Sequence, residues 1–251
     1  MKPSPAYKYL NIVFFGLALF VNYLSVVYEL GGNTIRELSD KYDNLFTPAP
    51  QTFAIWSLIY LLLTVFLVLQ FVTRYRDSFL TRSPLFLLSC IFNFSWILAW
   101  QYEYLWLSLL IMLALLTSLT LINRQLQNEN HLIFRLTFGI YLGWICIATI
   151  ANATAVLVGS GINPAIGLRE NITVAMLAIG AALVALIMRQ LKNPFLAIAV
   201  CWAFYGIYTK RANDHPVIAW AALAALFAVT IWAIFLCYTM EGKRAGKRQS
   251  P

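Results

Sequence analysis

The stretch that decides the fold is Leu136–Val158, LTFGIYLGWICIATIANATAVLV, in which no side chain is charged. A hydrocarbon core of about 30 Å needs roughly 20 apolar helical residues to span it, and this stretch is long enough. The whole chain of 251 residues has the same character, with 61% hydrophobic and 11% charged side chains. Soluble domains have about 45–50% apolar and about 25% charged residues. The sequence therefore predicts an integral membrane protein made largely of helices.

Apolar runs of this kind can be bounded at eight places, which predicts an all-α polytopic membrane protein with eight spans. The runs are Leu10–Tyr28, Thr52–Val72, Pro84–Trp100, Tyr104–Ile122, Leu136–Val158, Ile172–Met188, Pro194–Tyr208 and Val217–Met240. The seventh is the shortest of them. The first is not followed by an A-x-A-like cleavage site, so we expect it to be a retained helix and not a secretory signal.

The basic residues predict the orientation of these spans. If the N terminus is cytoplasmic, the outer loops contain only Arg36, Lys41, Arg169, Lys210 and Arg211 of the 18 lysines and arginines. This bias follows the positive-inside rule and places both termini in the cytoplasm. The formal net charge of +8 is thereby explained by membrane topology, and we expect a lipid bilayer and no nucleic acid as partner.

The predicted spans lack the side chains of most membrane chemistry. No Asp, Glu, Lys, Arg or His lies near a midplane, whereas coupled transporters and pumps typically need an ionisable residue there. His131 and His215 are predicted to be solvated in loops on opposite sides, where they cannot share a metal ion. The four cysteines lie in apolar runs without C-x-x-C spacing, which is typical of buried free thiols. We expect no metal, no required cofactor and no enzymatic activity.

Polar atoms within the spans belong instead to amides and aromatic side chains on three helix faces. The faces carry Trp56 and Tyr60 on the second span, Asn93, Trp96 and Trp100 on the third, and Tyr141, Trp144, Ala148 and Asn152 on the fifth. If the faces meet, they form an aromatic cavity suited to a flat, π-rich ligand. Alternatively, Asn93 and Asn152 hydrogen-bond across helices as packing contacts. Trp100 and Trp106 flank a tight turn and are predicted to belong to the interfacial aromatic belt.

The outer segment Glu29–Gln51 contains a further periodic pattern. Ile35, Leu38, Tyr42 and Leu45 recur at intervals of three to four residues, which predicts a short helix on a surface. Such a helix could cover an outward-facing cavity as a lid, or lie at the membrane interface without any ligand.

Three runs resemble the TspO/MBR family, the tryptophan-rich sensory proteins related to the mitochondrial translocator protein or peripheral benzodiazepine receptor. They are PAPQTFAIWSLIY at 48–60, FNFSW at 92–96, and YLGW at 141–144 with Ala148 and Asn152 beyond it. The resemblance covers about residues 10–158. It implies a five-helix bundle that binds porphyrins and haem, with sterols and benzodiazepine-type drugs in animal members.

The resemblance also implies a ligand pocket lined by Trp56, Tyr60, Asn93, Trp144, Ala148 and Asn152. Trp96 and Tyr141, which share the same helix faces, complete the candidate ligand-binding set. Residues 1–158 are predicted to form the TspO/MBR-like bundle, residues 159–240 three additional transmembrane helices, and residues 241–251 a basic cytoplasmic tail. Small residues of the sixth span, such as Ala181, Ala182 and Ala185, suit packing within the chain or a homodimer equally well.

The predicted function is sensing, binding or transport of a tetrapyrrole (a porphyrin or haem) or a similar flat hydrophobic ligand. The alternative is a carrier for a small neutral solute that uses all eight helices. Two further hypotheses are a porphyrin-degrading enzyme and a platform for a partner protein. The expected location is a bacterial inner membrane, which the chain crosses several times.

Overall fold

The computed structural model describes residues 6–33, 35–42, 44–75, 78–129, 131–162 and 164–249, with the backbone alone for residues 35, 36, 40, 166 and 241–249. These residues form α-helices and short 3₁₀ helices, and no strand occurs among them. The α-helices are α1 (Ala6–Val27), α2 (Ile35–Lys41), α3 (Ile55–Leu69), α4 (Leu85–Gln101), α5 (Leu105–Leu126), α6 (Leu132–Gly159), α7 (Ile166–Leu191), α8 (Leu196–Arg211) and α9 (Pro216–Gln249). The 3₁₀ helices are Leu30–Gly32, Pro50–Ala54 and Phe79–Thr81.

Each predicted span corresponds to one long helix, and α2 confirms the predicted short helix between the first two spans. Six segments are long and apolar enough to cross a membrane: Ala6–Val27, Pro50–Leu69, Leu105–Leu126, Leu132–Gly159, Gly167–Leu191 and Pro216–Met240. The apolar helix α4 has 17 residues and α8 has 16, so both are shorter than the usual span. The all-helical membrane class is thus confirmed, and the number of eight crossings stays a prediction.

The loops between the long helices gather at two ends of the bundle. At the end that we call outer, after the predicted orientation, Lys41 contacts Glu103 of the α4–α5 turn, 2.6 Å away. At the inner end, Ser78 Oγ donates to Glu129 Oε2 at 2.6 Å, which joins the α3–α4 loop to the α5–α6 loop. This pairing of alternate loops shows that α3, α4 and α5 run in alternating directions.

Helix α6 is the centre of the packing. It contacts α3, α5, α7 and α8, while α8 contacts α9 and α9 contacts α7. Gly139 and Gly143 allow α6 to approach the start of α8 closely. A Cβ atom at Gly143 would lie 2.3 Å from the carbonyl oxygen of Leu196, and one at Gly139 would lie 2.8 Å from Asn193 Nδ2. The last three helices are therefore joined to the bundle mainly through the contact of α8 with α6.

The alanine-rich face predicted on α7 borders a groove shared with α9. Ala181, Ala182 and Ala185 of α7 line it together with alanines of α9, and Trp232 Nε1 donates to the carbonyl oxygen of Ala185 at 3.0 Å. Ala182 is exposed at this groove, and Ala181 and Ala185 are half-buried, so the homodimer stays a prediction.

Two local predictions are wrong, and a third stays a prediction. Cys237 is exposed, because α9 packs against its neighbours on one side only, whereas Cys90 and Cys146 are buried. The backbone of residues 241–249 continues α9, and the basic cytoplasmic tail stays a prediction. His131 is not a freely solvated side chain, because its ring contacts the ring of Tyr75 with 4.9 Å between centroids.

Candidate functional site

A small cavity of about 50 Å³ lies at the outer end, between α3, α4, α6 and the segment that follows α2. Four indole rings and one phenyl ring form most of its wall. The cavity is lined by Ser39, Asn44, Pro48, Phe53, Trp56, Trp96, Trp100, Trp144, Ile147, Ala148, Ala151, Asn152 and Ala155. No titratable side chain is among these lining residues, which offer apolar and amide surfaces.

The three helix faces singled out in the sequence do meet at this cavity. Trp56, Trp96, Trp144, Ala148 and Asn152 line it directly. The other three predicted residues, which are Tyr60, Asn93 and Tyr141, are not lining residues.

Trp56 connects the cavity to a deeper layer of aromatic side chains. Its ring stacks on that of Tyr60, with 5.5 Å between centroids, and meets that of Tyr141 edge-on at 5.9 Å. The deeper residues can therefore influence a ligand through Trp56, and they would touch it only if this layer opened.

Trp100 is a lining residue that the sequence analysis assigned wrongly. It is only 5% exposed, and its ring stacks on that of Trp96 with centroids 6.1 Å apart. Trp106, on the other side of the same turn, is 64% exposed, as a residue of the aromatic belt would be. The spacing of four residues from Trp96 to Trp100 was the signal for a shared face, but the lid that buries this face is a tertiary feature.

Phe53 is the second aromatic residue that the sequence analysis missed. It lies in the 3₁₀ helix Pro50–Ala54, ahead of α3, so a helical repeat counted along α3 does not include it. Its ring meets Trp144 edge-on at 5.9 Å, and Trp56 meets Trp144 in the same way at 6.3 Å. The two pairs that Trp144 forms are thus roughly perpendicular, a favourable arrangement for aromatic contacts.

Several buried polar atoms near the cavity have no hydrogen-bond partner among the described residues. They are Nε1 of Trp96, Nε1 of Trp144, the Tyr60 hydroxyl, and both amide atoms of Asn93. The hydroxyl of Tyr141 approaches Asn93 without forming a hydrogen bond of good geometry. A buried donor or acceptor left unpaired costs about 1–3 kcal/mol, so these atoms favour an occupant that can pair with them.

Asn152, in contrast, already has a partner. Its Nδ2 donates to Ser108 Oγ at 3.0 Å, and the Ser108 hydroxyl in turn donates to the carbonyl oxygen of Leu105 at 2.7 Å. Asn152 therefore joins α6 to α5, which is the packing role considered for it as the alternative.

A lid closes the outer side of the cavity. We define the lid as α2 together with residues 44–49, and it contributes Ser39, Asn44 and Pro48 to the lining. Leu38 and Phe46 of the lid are buried, so the lid packs on the bundle through apolar contacts.

One side of the lid is held by the α4–α5 turn. Lys41 Nζ lies 2.7 and 2.6 Å from the two carboxylate oxygens of Glu103, and the Tyr42 hydroxyl donates to the same carboxylate. Hydrogen bonds from Lys41 and Tyr42 lower the pKa of Glu103 below its ordinary value. Burial, followed by the hydrogen bond to Glu103, raises the pKa of Tyr42 to about 12. At neutral pH the Glu103 carboxyl is thus ionised and the Tyr42 hydroxyl is protonated, and these are the forms that make the hydrogen bond.

The other side of the lid is held by α8. The backbone N–H of Ala49 donates to the carbonyl oxygen of Gly206 at 3.0 Å. With both sides held, the lid covers the outer side of the cavity. A volume of about 50 Å³ suits very few water molecules. Drug-sized ligands occupy pockets of about 300–1,000 Å³, so such a ligand requires the lid to open.

A family profile described as TSPO-like protein matches residues 8–235. No curated protein and no solved structure gives a significant match. The matched range extends beyond the first five long helices, on which the sequence resemblance rested, and includes α7, α8 and most of α9. Together with the apolar helices, the match identifies a multi-pass integral membrane protein of the binding or transport class, surrounded by lipid.

Proposed function

Because the chain belongs to the TSPO-like protein family, we propose that it binds a flat, π-rich hydrophobic ligand, such as a tetrapyrrole, beneath the lid for sensing or transport. The observation that carries this proposal is the cavity wall of four indole rings and Phe53, in which the N–H groups of Trp96 and Trp144 are unpaired. The ring faces suit stacking on a planar ligand, and the free N–H groups suit its polar acceptors.

Recognition in such a site requires no cofactor, and a porphyrin or haem would be the ligand itself. The described lining residues offer apolar and amide surfaces without charge, which supports binding over catalysis. The proposed cycle has an open state that admits the ligand and a closed state in which the lid covers it. In this cycle we assign the structure, with its small cavity beneath the lid, to the closed state.

The ligand class is tested by titrating the purified, detergent-solubilised protein with protoporphyrin IX and following the absorption band of the porphyrin. We expect saturable binding that weakens roughly tenfold in Trp144→Leu, because a buried aromatic contact and a donor are lost. Trp106→Leu is the matched control, since it removes an exposed indole outside the cavity.

Two results would contradict the proposal in different ways. Equal affinities of Trp144→Leu and Trp106→Leu would show that the porphyrin binds elsewhere. An absence of saturable binding to the wild-type protein would show that the ligand is not a tetrapyrrole.

A second candidate function is a carrier for a small neutral solute. The cavity volume of about 50 Å³ favours it, because a small solute needs much less rearrangement than a porphyrin. This function predicts solute flux across vesicles containing the reconstituted protein, and the flux should stop when the lid is cross-linked to α8. Flux that continues with the lid fixed would exclude this route.

We further propose that all eight long helices cross a bacterial inner membrane, with both termini in the cytoplasm. The grouping of alternate loops at two ends of the bundle supports this topology. Helices α4 and α8 are the shortest of the eight, and local thinning of the bilayer can accommodate such helices at modest cost.

A further inference from the structure

We infer that Trp202 and Arg211 of α8 are positioning residues that hold the lid over the cavity, so that the last three helices control access of the ligand. Neither residue belongs to the motifs on the first five long helices. The inference rests on the proposed function for the ligand it names, whereas the contacts themselves are present without any ligand.

Arg211 binds the lid directly from the end of α8. The Arg211 side chain is almost fully buried. Its Nη2 donates to the carbonyl oxygen of Asn44 at 3.0 Å, and its Nε donates to the carbonyl oxygen of Leu45 at 3.3 Å. Asn44 also lines the cavity, so the guanidinium fixes the part of the lid nearest to a ligand. Hydrogen bonds from a charged donor are about twice as strong as neutral ones, which makes this the strongest described contact between α8 and the lid.

Trp202 fixes the adjoining 3₁₀ helix, Pro50–Ala54. Its Nε1 donates to the carbonyl oxygen of Thr52 at 2.8 Å. A Cβ atom at Gly206, one turn further along α8, would lie 2.0 Å from Thr52 Oγ1, so the backbone of α8 lies directly against the Thr52 side chain. Phe53 follows Thr52 and lines the cavity, and a movement of α8 would therefore be transmitted to the cavity wall.

A network of polar contacts connects Arg211 to α7 and α9. Arg211 Nη1 donates to Asp214 Oδ2 at 3.0 Å, and His215 Nε2 lies 3.9 Å from the same oxygen. His215 Nδ1 in turn lies 2.5 Å from Glu170 Oε1, near the start of α7. Burial acts to raise the pKa of Asp214, but the hydrogen bond and charge of Arg211 outweigh it and lower the pKa. The aspartate thus stays ionised and orients the guanidinium towards the lid.

The arrangement has a kinetic consequence. A ligand larger than the closed cavity enters and leaves only when the lid is open, so both rate constants scale with the fraction of time spent open. Weakening the contact to α8 increases that fraction in the empty and in the occupied protein alike. Association and dissociation should therefore accelerate together, while the Kd changes little.

The first experiment needs no ligand. Hydrogen exchange is measured at the backbone amides of Ala49 and Thr52 in the wild type, in Trp202→Phe and in Trp232→Phe. Trp232→Phe is the matched control, because it removes an indole N–H that donates to a backbone carbonyl between α9 and α7, away from the lid. We expect these amides to exchange roughly threefold to tenfold faster in Trp202→Phe only, as the loss of one neutral hydrogen bond implies.

The second experiment measures association and dissociation of protoporphyrin IX by stopped flow in Arg211→Lys and Arg135→Lys. Arg135 is the control, since its buried guanidinium donates to the carbonyl oxygen of Lys192 at the inner end. We expect both rate constants to rise roughly tenfold in Arg211→Lys, with the Kd within about twofold of the wild type, and to stay unchanged in Arg135→Lys.

Equal exchange in Trp202→Phe and Trp232→Phe would overturn the inference, as would a raised Kd without faster rates in Arg211→Lys. If Arg211→Lys does not fold, the hydrogen-exchange experiment on Trp202→Phe tests the inference by itself. If protoporphyrin IX fails to bind the wild type, the proposed ligand is wrong, and the exchange experiment still tests the role of α8.

Discussion

Replacement of Gly143 by alanine tests whether α8 is joined to the bundle as described. Gly143 lies in α6, where alanine would ordinarily favour the helix by up to about 1 kcal/mol. The new Cβ atom would lie 2.3 Å from the carbonyl oxygen of Leu196 and 3.1 Å from its Cα atom. Non-bonded heavy atoms prefer about 3.5 Å, so α6 and α8 must separate by roughly 1 Å.

The size of the expected destabilisation depends on the kind of atom that the new Cβ would meet. The obstructing atom belongs to the backbone of α8, which cannot rotate away as a flexible side chain could. Overpacking of this kind costs about 1–3 kcal/mol, and we take the upper half of the range because the helices must move as units. After the gain in helix propensity is subtracted, we expect Gly143→Ala to lower the free energy of unfolding by about 1–2 kcal/mol.

The assay is unfolding by SDS in mild detergent micelles, followed by far-UV circular dichroism. Gly16→Ala is the control, because Gly16 is an exposed residue of α1 with no heavy atom within 4 Å of the added Cβ. We expect this control to be neutral or stabilising. A Gly143→Ala variant as stable as Gly16→Ala would refute the close approach of α6 and α8, and with it the rigid attachment of the last three helices.

Three further results are expected. Lowering the pH below about 4 should reduce the protection factors of the α2 amides, which express their exchange relative to the intrinsic rate at the same pH. The pKa of Glu103 is lowered in the folded protein, so its stabilising contribution is present above the unfolded pKa of about 4.3 and lost as the pH falls through the folded value. Protection factors that do not change over this pH range would argue against this contact. Asn193→Ala should lower the free energy of unfolding by about 2–3 kcal/mol, because the buried Nδ2 of Asn193 donates to Asn123 Oδ1 and to the carbonyl oxygen of Arg135. The free energy is measured by SDS unfolding, and a value within about 0.5 kcal/mol of wild type would be inconsistent with these hydrogen bonds. In right-side-out vesicles, an impermeant maleimide should label Ser160→Cys directly and Asn128→Cys only after permeabilisation, and the reverse pattern would invert the proposed topology.

Much of the fold could be read from local composition. Runs such as Leu136–Val158 are apolar over a length that only a membrane requires, so the helices and their approximate ends follow without tertiary information. The faces that carry Trp56, Trp96 and Trp144 could be identified in the same way, because helical periodicity places residues three, four and seven apart on one side. The sequence by itself therefore determined the membrane class, the helices and five lining residues of the cavity.

Tertiary structure decided what local periodicity cannot express. Trp100 has the spacing of a lining residue and the position of a belt residue, and only the lid above it decides between them. Arg211 is predicted from the sequence to lie in a short outer loop, yet it ends α8 and its guanidinium reaches the lid across more than 160 positions of the chain. Such contacts depend on how close two helices can approach, which Gly143 and Gly206 set through the absence of a Cβ atom. The closed cavity and its attachment to α8 are thus properties of packing between distant segments, and no pattern within one segment specifies them.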